Sequence, residues 1–248
     1  MDLGLTGRTV FVTGATGDMG RVLAKAFADA GACVAVGFNS DHEGAEKLAA
    51  ELGNDSFPVR YSLDGPGSPE AAQREIEQRR GGVDVLVPLA AKLSGRRPDA
   101  EYFATAEPAE WVPFVQDNLL PTLRTVQLAL PGMRERGWGR VVLVSSHLVH
   151  DGRPGMEFYG AVKAALHGFA RSLMWEAGGV LVNVVSPGVT LTERVLSRMP
   201  EAMREAERSR TPSGALTRPE DIANAVLFLG SAANGNITGE AVTVAGGR

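Results

Sequence analysis

Tyr159 and Lys163 stand four residues apart in Phe158-Tyr159-Gly160-Ala161-Val162-Lys163, and Ser146 lies thirteen positions before the tyrosine. On a helix that spacing puts the phenol and the ammonium on one face, about one turn apart. A cation beside a phenol favours the phenolate, which predicts a Tyr159 pKa drawn down from about 10 toward the range useful to an acid/base catalyst. A hydroxyl such as Ser146, placed at the end of a neighbouring strand, can hold the oxygen that gains or loses the proton. The chemistry open to such a trio is proton transfer at a carbonyl oxygen during reduction. Taken alone, Tyr-x-x-x-Lys is equally a buried aromatic under a solvated lysine, so the rest of the chain decides.

Short β-branched runs recur at Thr9–Thr13, Val34–Val36, Phe57–Tyr61, Val83–Val87, Val141–Ser145, Leu181–Val185 and Ala241–Val244. Helical periodicity fills Val22–Ala30, Glu43–Leu52, Glu70–Arg79, Leu119–Arg136, Tyr159–Glu176 and Pro219–Leu229. Continuous apolar strands alternating with helices predict an α/β fold with a doubly wound, Rossmann-type parallel sheet and helices on both faces. No Pro/Gly/Ser-rich linker and no internal repeat divides the chain, so residues 1–248 are expected to form a single domain. Two stretches fall outside this alternation. Lys92–Glu110, with Arg96-Arg97-Pro98, is expected to be a loop near the strand ends. Thr190–Ser213 is a helical stretch with apolar Leu191, Val195, Leu196, Met199 and Met203 among charges.

Thr13-Gly14-Ala15-Thr16-Gly17-Asp18-Met19-Gly20 follows the first strand and opens the first helix, where glycines let the backbone approach a pyrophosphate favoured at a helix N-terminus. Asn118 precedes Ser146 by twenty-eight residues, and Asn183-Val184-Val185-Ser186-Pro187-Gly188 follows Lys163. In that order and at those separations the chain resembles the short-chain dehydrogenase/reductase family over essentially its whole length, in particular the branch that includes 3-oxoacyl-carrier-protein reductases. The resemblance implies catalytic roles for Ser146, Tyr159, Lys163 and Asn118. Tyr159 gives a proton to the substrate oxygen, Ser146 orients it, and Lys163 lowers the Tyr pKa and holds ribose hydroxyls. Asn118 sits in a helix irregularity that keeps a water between Lys163 and solvent. The resemblance also implies that Pro187, Gly188, Thr190 and Thr192 bind the nicotinamide carboxamide, that residues 190–213 form a substrate lid, and that the helices carrying Asn118 and Tyr159 pair in a homotetramer or homodimer.

The cofactor half departs from the pattern of that branch. Gly17 comes one position early and Asp18 takes the place of the middle glycine, either capping a helix that begins near Met19 or facing the phosphates. Pro88-Leu89-Ala90-Ala91 stands where the family has Asn-Asn-Ala-Gly, and Ser62 takes the place of an adenine-binding Asp, with Asp64 two residues on. After the second strand, Gly37-Phe38-Asn39-Ser40 offers no carboxylate for ribose hydroxyls and no clear Arg for a 2′-phosphate. Missing the acid, the site is expected to take NADPH rather than NADH. Gly14, Thr16, Gly17, Asp18, Met19, Gly20, Asn39, Ser40, Ser62 and Ala90 thus form the expected cofactor set, together with Tyr159, Lys163 and the Pro187–Thr192 segment; no metal site is expected.

Bulk properties bound the alternatives. A net charge of −4 and a pI near 5.7 argue against nucleic acid and anionic membrane surfaces. The single Cys33 excludes an internal disulfide framework and reads as a small buried strand residue. No signal-like N-terminus and no span-length apolar run are visible, so a cytoplasmic location is expected. Ser145 reads as a buried strand-end hydroxyl. His147 and His150 read as polar surface, or else as pocket-lining groups able to act as a second acid/base. Arg96 and Arg97 read as a solvated pair, or as a grip for a phosphopantetheine-like handle. The leading expectation is an NADPH-dependent ketoreductase acting on a small-molecule ketone such as a β-ketoacyl or polyketide-like compound. Its alternatives are a secondary-alcohol dehydrogenase, a non-redox dehydratase, isomerase or cyclase using the same acid/base pair, and a dinucleotide-binding regulator without turnover.

Overall fold

The computed structural model describes residues 2–92 and 103–248. Among them seven strands form one parallel sheet in the order β3-β2-β1-β4-β5-β6-β7. The strands are β1 (Thr9–Thr13), β2 (Cys33–Phe38), β3 (Phe57–Arg60), β4 (Val85–Pro88), β5 (Arg140–Val144), β6 (Leu181–Pro187) and β7 (Ala241–Val244). The chain runs outward from β1 through β2 to β3, then returns to the other side of β1 with β4. That reversal opens a crevice beyond the carboxyl ends of β1 and β4.

Both faces are apolar because successive strand residues point to opposite sides. Val10 and Val12 join a core under α1 (Asp18–Asp29), α2 (His42–Leu52) and, near the C-terminus, Pro219–Leu229. Phe11, between them, joins a second core under α3 (Ser68–Arg80), α4 (Pro108–Glu135) and the helix Glu157–Leu173. Burying β-branched strands on both sides is what makes a parallel sheet stable. Cys33 is buried in β2, its Sγ donating to the Asp55 carbonyl at 3.2 Å, and burial raises its pKa.

The strand expectations hold to within a few residues at each end. The helix expected from Leu119 starts eleven residues earlier, at Pro108, which sits at its first position, where a missing N–H costs nothing. Before Asn118 its side chains are at most half-buried, Trp111, Val112, Phe114 and Val115 among them, and Pro113 within that stretch masks their helical spacing. A short helix α5 (Leu148–Asp151) after β5 also carried no periodic signal. Next come α6 (Glu157–Leu173), α7 (Glu193–Arg198), α8 (Glu201–Ser209) and α9 (Pro219–Leu229). The loop expected over Lys92–Glu110 falls largely on 93–102, with Arg96 and Arg97, outside the described residues; Phe103–Thr105 is a single 3-10 turn.

Candidate active site

The glycine turn is built by close backbone approach. Thr13 Oγ1 accepts the Ala90 N–H at 3.0 Å, which draws the chain after β4 against Gly14. Gly14 has φ of +67°, and a Cβ there would lie 3.1 Å from the Ala90 Cα. At Gly20 a Cβ would meet the Gly14 carbonyl oxygen at 2.3 Å, a clash that leaves only glycine. The turn therefore fixes the start of α1, whose first N–H groups have no intrahelical partner and carry the positive end of the helix dipole. The cradle fits a diphosphate.

Asp18 does not cap this helix. Gly17 holds the cap position with no side-chain bond, and Asp18 is the first helical residue. Its carboxylate crosses to the other side of the crevice, where Oδ2 accepts the backbone N–H of Arg194 in α7 at 3.0 Å. Thr192, the residue before α7, accepts the Val195 N–H through its own hydroxyl at 3.3 Å.

β5 delivers Ser145 and Ser146 to the crevice floor, and α6 brings Tyr159 and Lys163 over them. The start of α6 is held by Phe158, stacked on Trp111 of α4 at 5.0 Å and 6°. Ser146 accepts the Leu148 N–H at 3.3 Å and lies beside the Tyr159 phenol. Lys163 Nζ donates to the Val144 carbonyl at 2.9 Å and lies 5.9 Å from the centroid of the Tyr159 ring. Burial pushes the lysine down to about 8. The phenol is not drawn down as its spacing from Lys163 predicted. Burial raises it, and the Ser146 hydroxyl and the Arg194 charge offset only part of that rise. The lysine's charge is turned onto a backbone carbonyl, so desolvation decides.

A cleft of about 1150 Å³ brings most of the expected residues together. It is lined by Gly14, Thr16, Gly17, Asp18, Met19 and Gly20 from the turn, by Asn39 and Ser40 after β2, and by Ala90. Ser146, Tyr159 and Lys163 form its middle, and Pro187, Gly188, Thr190 and Thr192 its far wall. Two expected residues do not line it. Ser62 is buried, donating to Asp64 at 2.6 Å and accepting nothing from the cleft; its N–H goes to Ser68 Oγ at 2.7 Å. Asn118 is buried in α4, accepting the Lys92 N–H at 2.8 Å and donating to the Phe114 carbonyl at 2.8 Å. It fastens the chain leaving β4 three residues before Pro121, whose missing N–H interrupts the helix ladder.

Sequence reasoning missed several groups because their positions are set by distant contacts. Arg21, one residue past the turn, donates to the Thr16 carbonyl at 2.9 Å and reaches Asp41, the cap of α2 three residues past β2, at 3.6 Å. Arg153, Met156 and Arg194 line the cleft beside Tyr159. Ser145 is structural: its hydroxyl donates to the Lys163 carbonyl and meets His167 Nε2, both at 2.9 Å. His147 is buried, with Nδ1 3.1 Å from the Pro187 carbonyl, and burial lowers its pKa, so it is neutral at physiological pH. His150 is exposed and packs edge-on against His167 at 5.8 Å. Glu207 of α8, almost fully buried, pairs with both Arg153 and Arg248, and Arg248 also reaches Asp151 at 3.0 Å. This network ties the 190–213 segment to the loop that follows Ser146.

Residues 14–248 match the family described as enoyl-(acyl carrier protein) reductase. The chain belongs to the short-chain dehydrogenase/reductase family. It is 33% identical over 247 residues to a 3-oxoacyl-[acyl-carrier-protein] reductase of Vibrio cholerae, covering 99% of this chain and 98% of that protein. A 3-oxoacyl-[acyl-carrier-protein] reductase of Aquifex aeolicus is 32% identical over 252 residues, covering 100% and 99%. Among solved structures, a short-chain dehydrogenase/reductase of Brucella melitensis titled glucose/ribitol dehydrogenase superposes with a TM-score of 0.89 at 30% identity, covering 100% of this chain and 98% of that one. As a short-chain dehydrogenase/reductase the protein is an NAD(P)-dependent oxidoreductase. Among the described residues no helix is long and apolar enough to cross a membrane, and no group of His, Cys, Asp and Glu has the geometry of a metal site.

Proposed function

We propose that this short-chain dehydrogenase/reductase is an NADPH-dependent ketoreductase that reduces the ketone of a β-ketoacyl or polyketide-like compound in the cytoplasm, with Tyr159 as general acid. One observation carries the reading. The Tyr159 phenol is half-buried beside the Ser146 hydroxyl, held above its ordinary pKa by desolvation, and placed in the same cleft as the glycine turn. A proton donor for reduction has to hold its proton at working pH. When bound, the dinucleotide supplies the hydride. The hydroxyls of Ser146 and Tyr159 converge on the substrate oxygen, Ser146 orienting it while Tyr159 gives up its proton. Lys163, poised near 8, can leave the Val144 carbonyl for a ribose hydroxyl and share charge with the phenol as that proton departs.

NADPH is favoured by the β2 end, where Asn39 and Ser40 bring no carboxylate and the acid that follows, Asp41, is paired with Arg21 at 3.6 Å. The relatives named for 3-oxoacyl thioester reduction support the substrate class. The segment 190–213 acts as the substrate lid. A groove of about 730 Å³ between α4 and α6, lined by Leu120, Leu123, Leu130, Phe169 and Leu173, supports pairing of these helices in a homotetramer or homodimer.

The test is a titration of the purified protein with NADPH and with NADH, followed by nicotinamide fluorescence, then turnover with acetoacetyl and crotonyl thioesters. The proposal expects tighter NADPH binding and oxidation of NADPH by the keto compound alone. Turnover confined to the enoyl compound, or dinucleotide binding without any carbonyl reduction, would refute it.

A further inference from the structure

Asp18 sets a problem that the surrounding residues answer. It occupies the middle of a glycine turn whose backbone geometry fits a diphosphate, so its carboxylate stands in the first turn of the helix that would receive two negative phosphates. That carboxylate accepts the backbone N–H of Arg194, a residue 176 positions away in the chain. The bond fastens the first turn of α7 against the glycine turn, so that Arg194 lines the cleft with Asp18, Thr192 and Tyr159. Among the described residues the guanidiniums of Arg194 and Arg198 have no hydrogen-bond or ion-pair partner, whereas Lys92 and Arg153 are tied to acids and Lys163 to the Val144 carbonyl; of the two free guanidiniums, Arg194 is the one whose backbone Asp18 holds. An unspent, planar fork of donors beside a phosphate cradle is suited to a bidentate grip on phosphate oxygens.

We propose that Arg194 offsets Asp18, its guanidinium binding the diphosphate of the dinucleotide held by the glycine turn. The inference rests on the dinucleotide reading above and adds the residue that lets an acid replace a glycine in the turn. Asp18 then has two parts: it orients Arg194 through the backbone bond, and it sets the local charge that Arg194 cancels. The same guanidinium lowers the Tyr159 phenol, consistent with a position between the turn and the catalytic pair.

The experiment measures dissociation constants of NADPH by fluorescence and of ADP-ribose by competition, at low and high salt, for the native protein and for variants. ADP-ribose carries the diphosphate without the nicotinamide. Arg194→Met should weaken both ligands about tenfold and flatten their salt dependence, since one charge-assisted bidentate contact is lost. Arg194→Lys should keep part of the affinity. Asp18→Asn should tighten both ligands about threefold by removing the repulsion, and the double variant should return to within about threefold of the native protein. Arg194 is exposed, so its variants should melt with the native protein; a melt on each confirms folding. Unchanged ADP-ribose affinity in Arg194→Met, with only the KM for the carbonyl substrate altered, would overturn the proposal and place the arginine on the substrate. A native protein that binds neither ligand would overturn the dinucleotide reading itself, and this proposal with it.

Discussion

Replacing Lys163 by Met should make the protein more stable while abolishing turnover. Burial holds the Lys163 ammonium at about 8 instead of its ordinary 10.5. That difference, at about 1.4 kcal/mol per unit, penalises the charged folded state by on the order of 3 kcal/mol at neutral pH. Methionine fills much of the same space without a charge, and gives up the ammonium's bond to the Val144 carbonyl, worth about 1–2 kcal/mol. A net gain of about 1–2 kcal/mol remains, or several degrees in Tm for a chain of this size, at about 2–4 °C per kcal/mol. The sign with pH follows from the depressed pKa. Between about 8 and 10.5 the unfolded chain binds the proton that the folded one has lost, so native stability rises through that window. The advantage of Lys163→Met should be full below pH 8 and gone by pH 10.5. Thermal melts of both proteins without dinucleotide, from pH 6.5 to 10.5, read this directly. A Met variant that melts lower than the native protein at pH 7, or whose advantage does not shrink with rising pH, would show that the lysine is better solvated than the structure places it.

Glu207→Ala should cost about 2–3 kcal/mol in denaturant unfolding at pH 7, somewhat below the cost for a fully buried pair because the Arg153 side chain remains 32% exposed. Burial pushes the Glu207 carboxyl up, yet Arg248 and Arg153 hold it below its ordinary range, so its contribution is present above about pH 4.5 and lost as pH falls below it; the gap between the two proteins should close in acid. Leu120→Arg places a charge in the groove between α4 and α6, where Leu120 is 56% exposed in the single chain, and should yield monomers in light scattering at micromolar concentration with the fold intact.

What the sequence revealed, and what it hid, divide along the range of the contacts. β1 was legible to the residue because Thr9–Thr13 is a continuous run of β-branched residues and one phenylalanine, with glycines close on either side. The Tyr159–Lys163 pair was legible because one helix sets their separation. The start of α4 was hidden, since Pro113 interrupts the half-buried apolar stretch from Trp111 to Val115 and the fully buried positions begin only at Asn118. The partner of Asp18 could not be read, because a backbone N–H has no sequence signature and lies in a separate element. Arg21 was invisible as a cation for the β2 end for the same reason, its reach to Asp41 depending on how α1 packs on the sheet. The direction of the Tyr159 shift was misread because spacing reports a neighbouring charge and says nothing of desolvation, and here desolvation is the larger effect.

The most direct test of the account is Tyr159→Phe, assayed with NADPH and a β-ketoacyl thioester alongside a fluorescence titration of the dinucleotide. Only the hydroxyl that meets Ser146 is removed, so dinucleotide affinity and melting temperature should stay close to those of the native protein. Carbonyl reduction should fall by about 10²–10⁴-fold, the worth of a positioned general acid. Reduction at near-native rates by the phenylalanine variant would contradict the assignment of Tyr159 as the proton donor, and with it the mechanism proposed for this cleft.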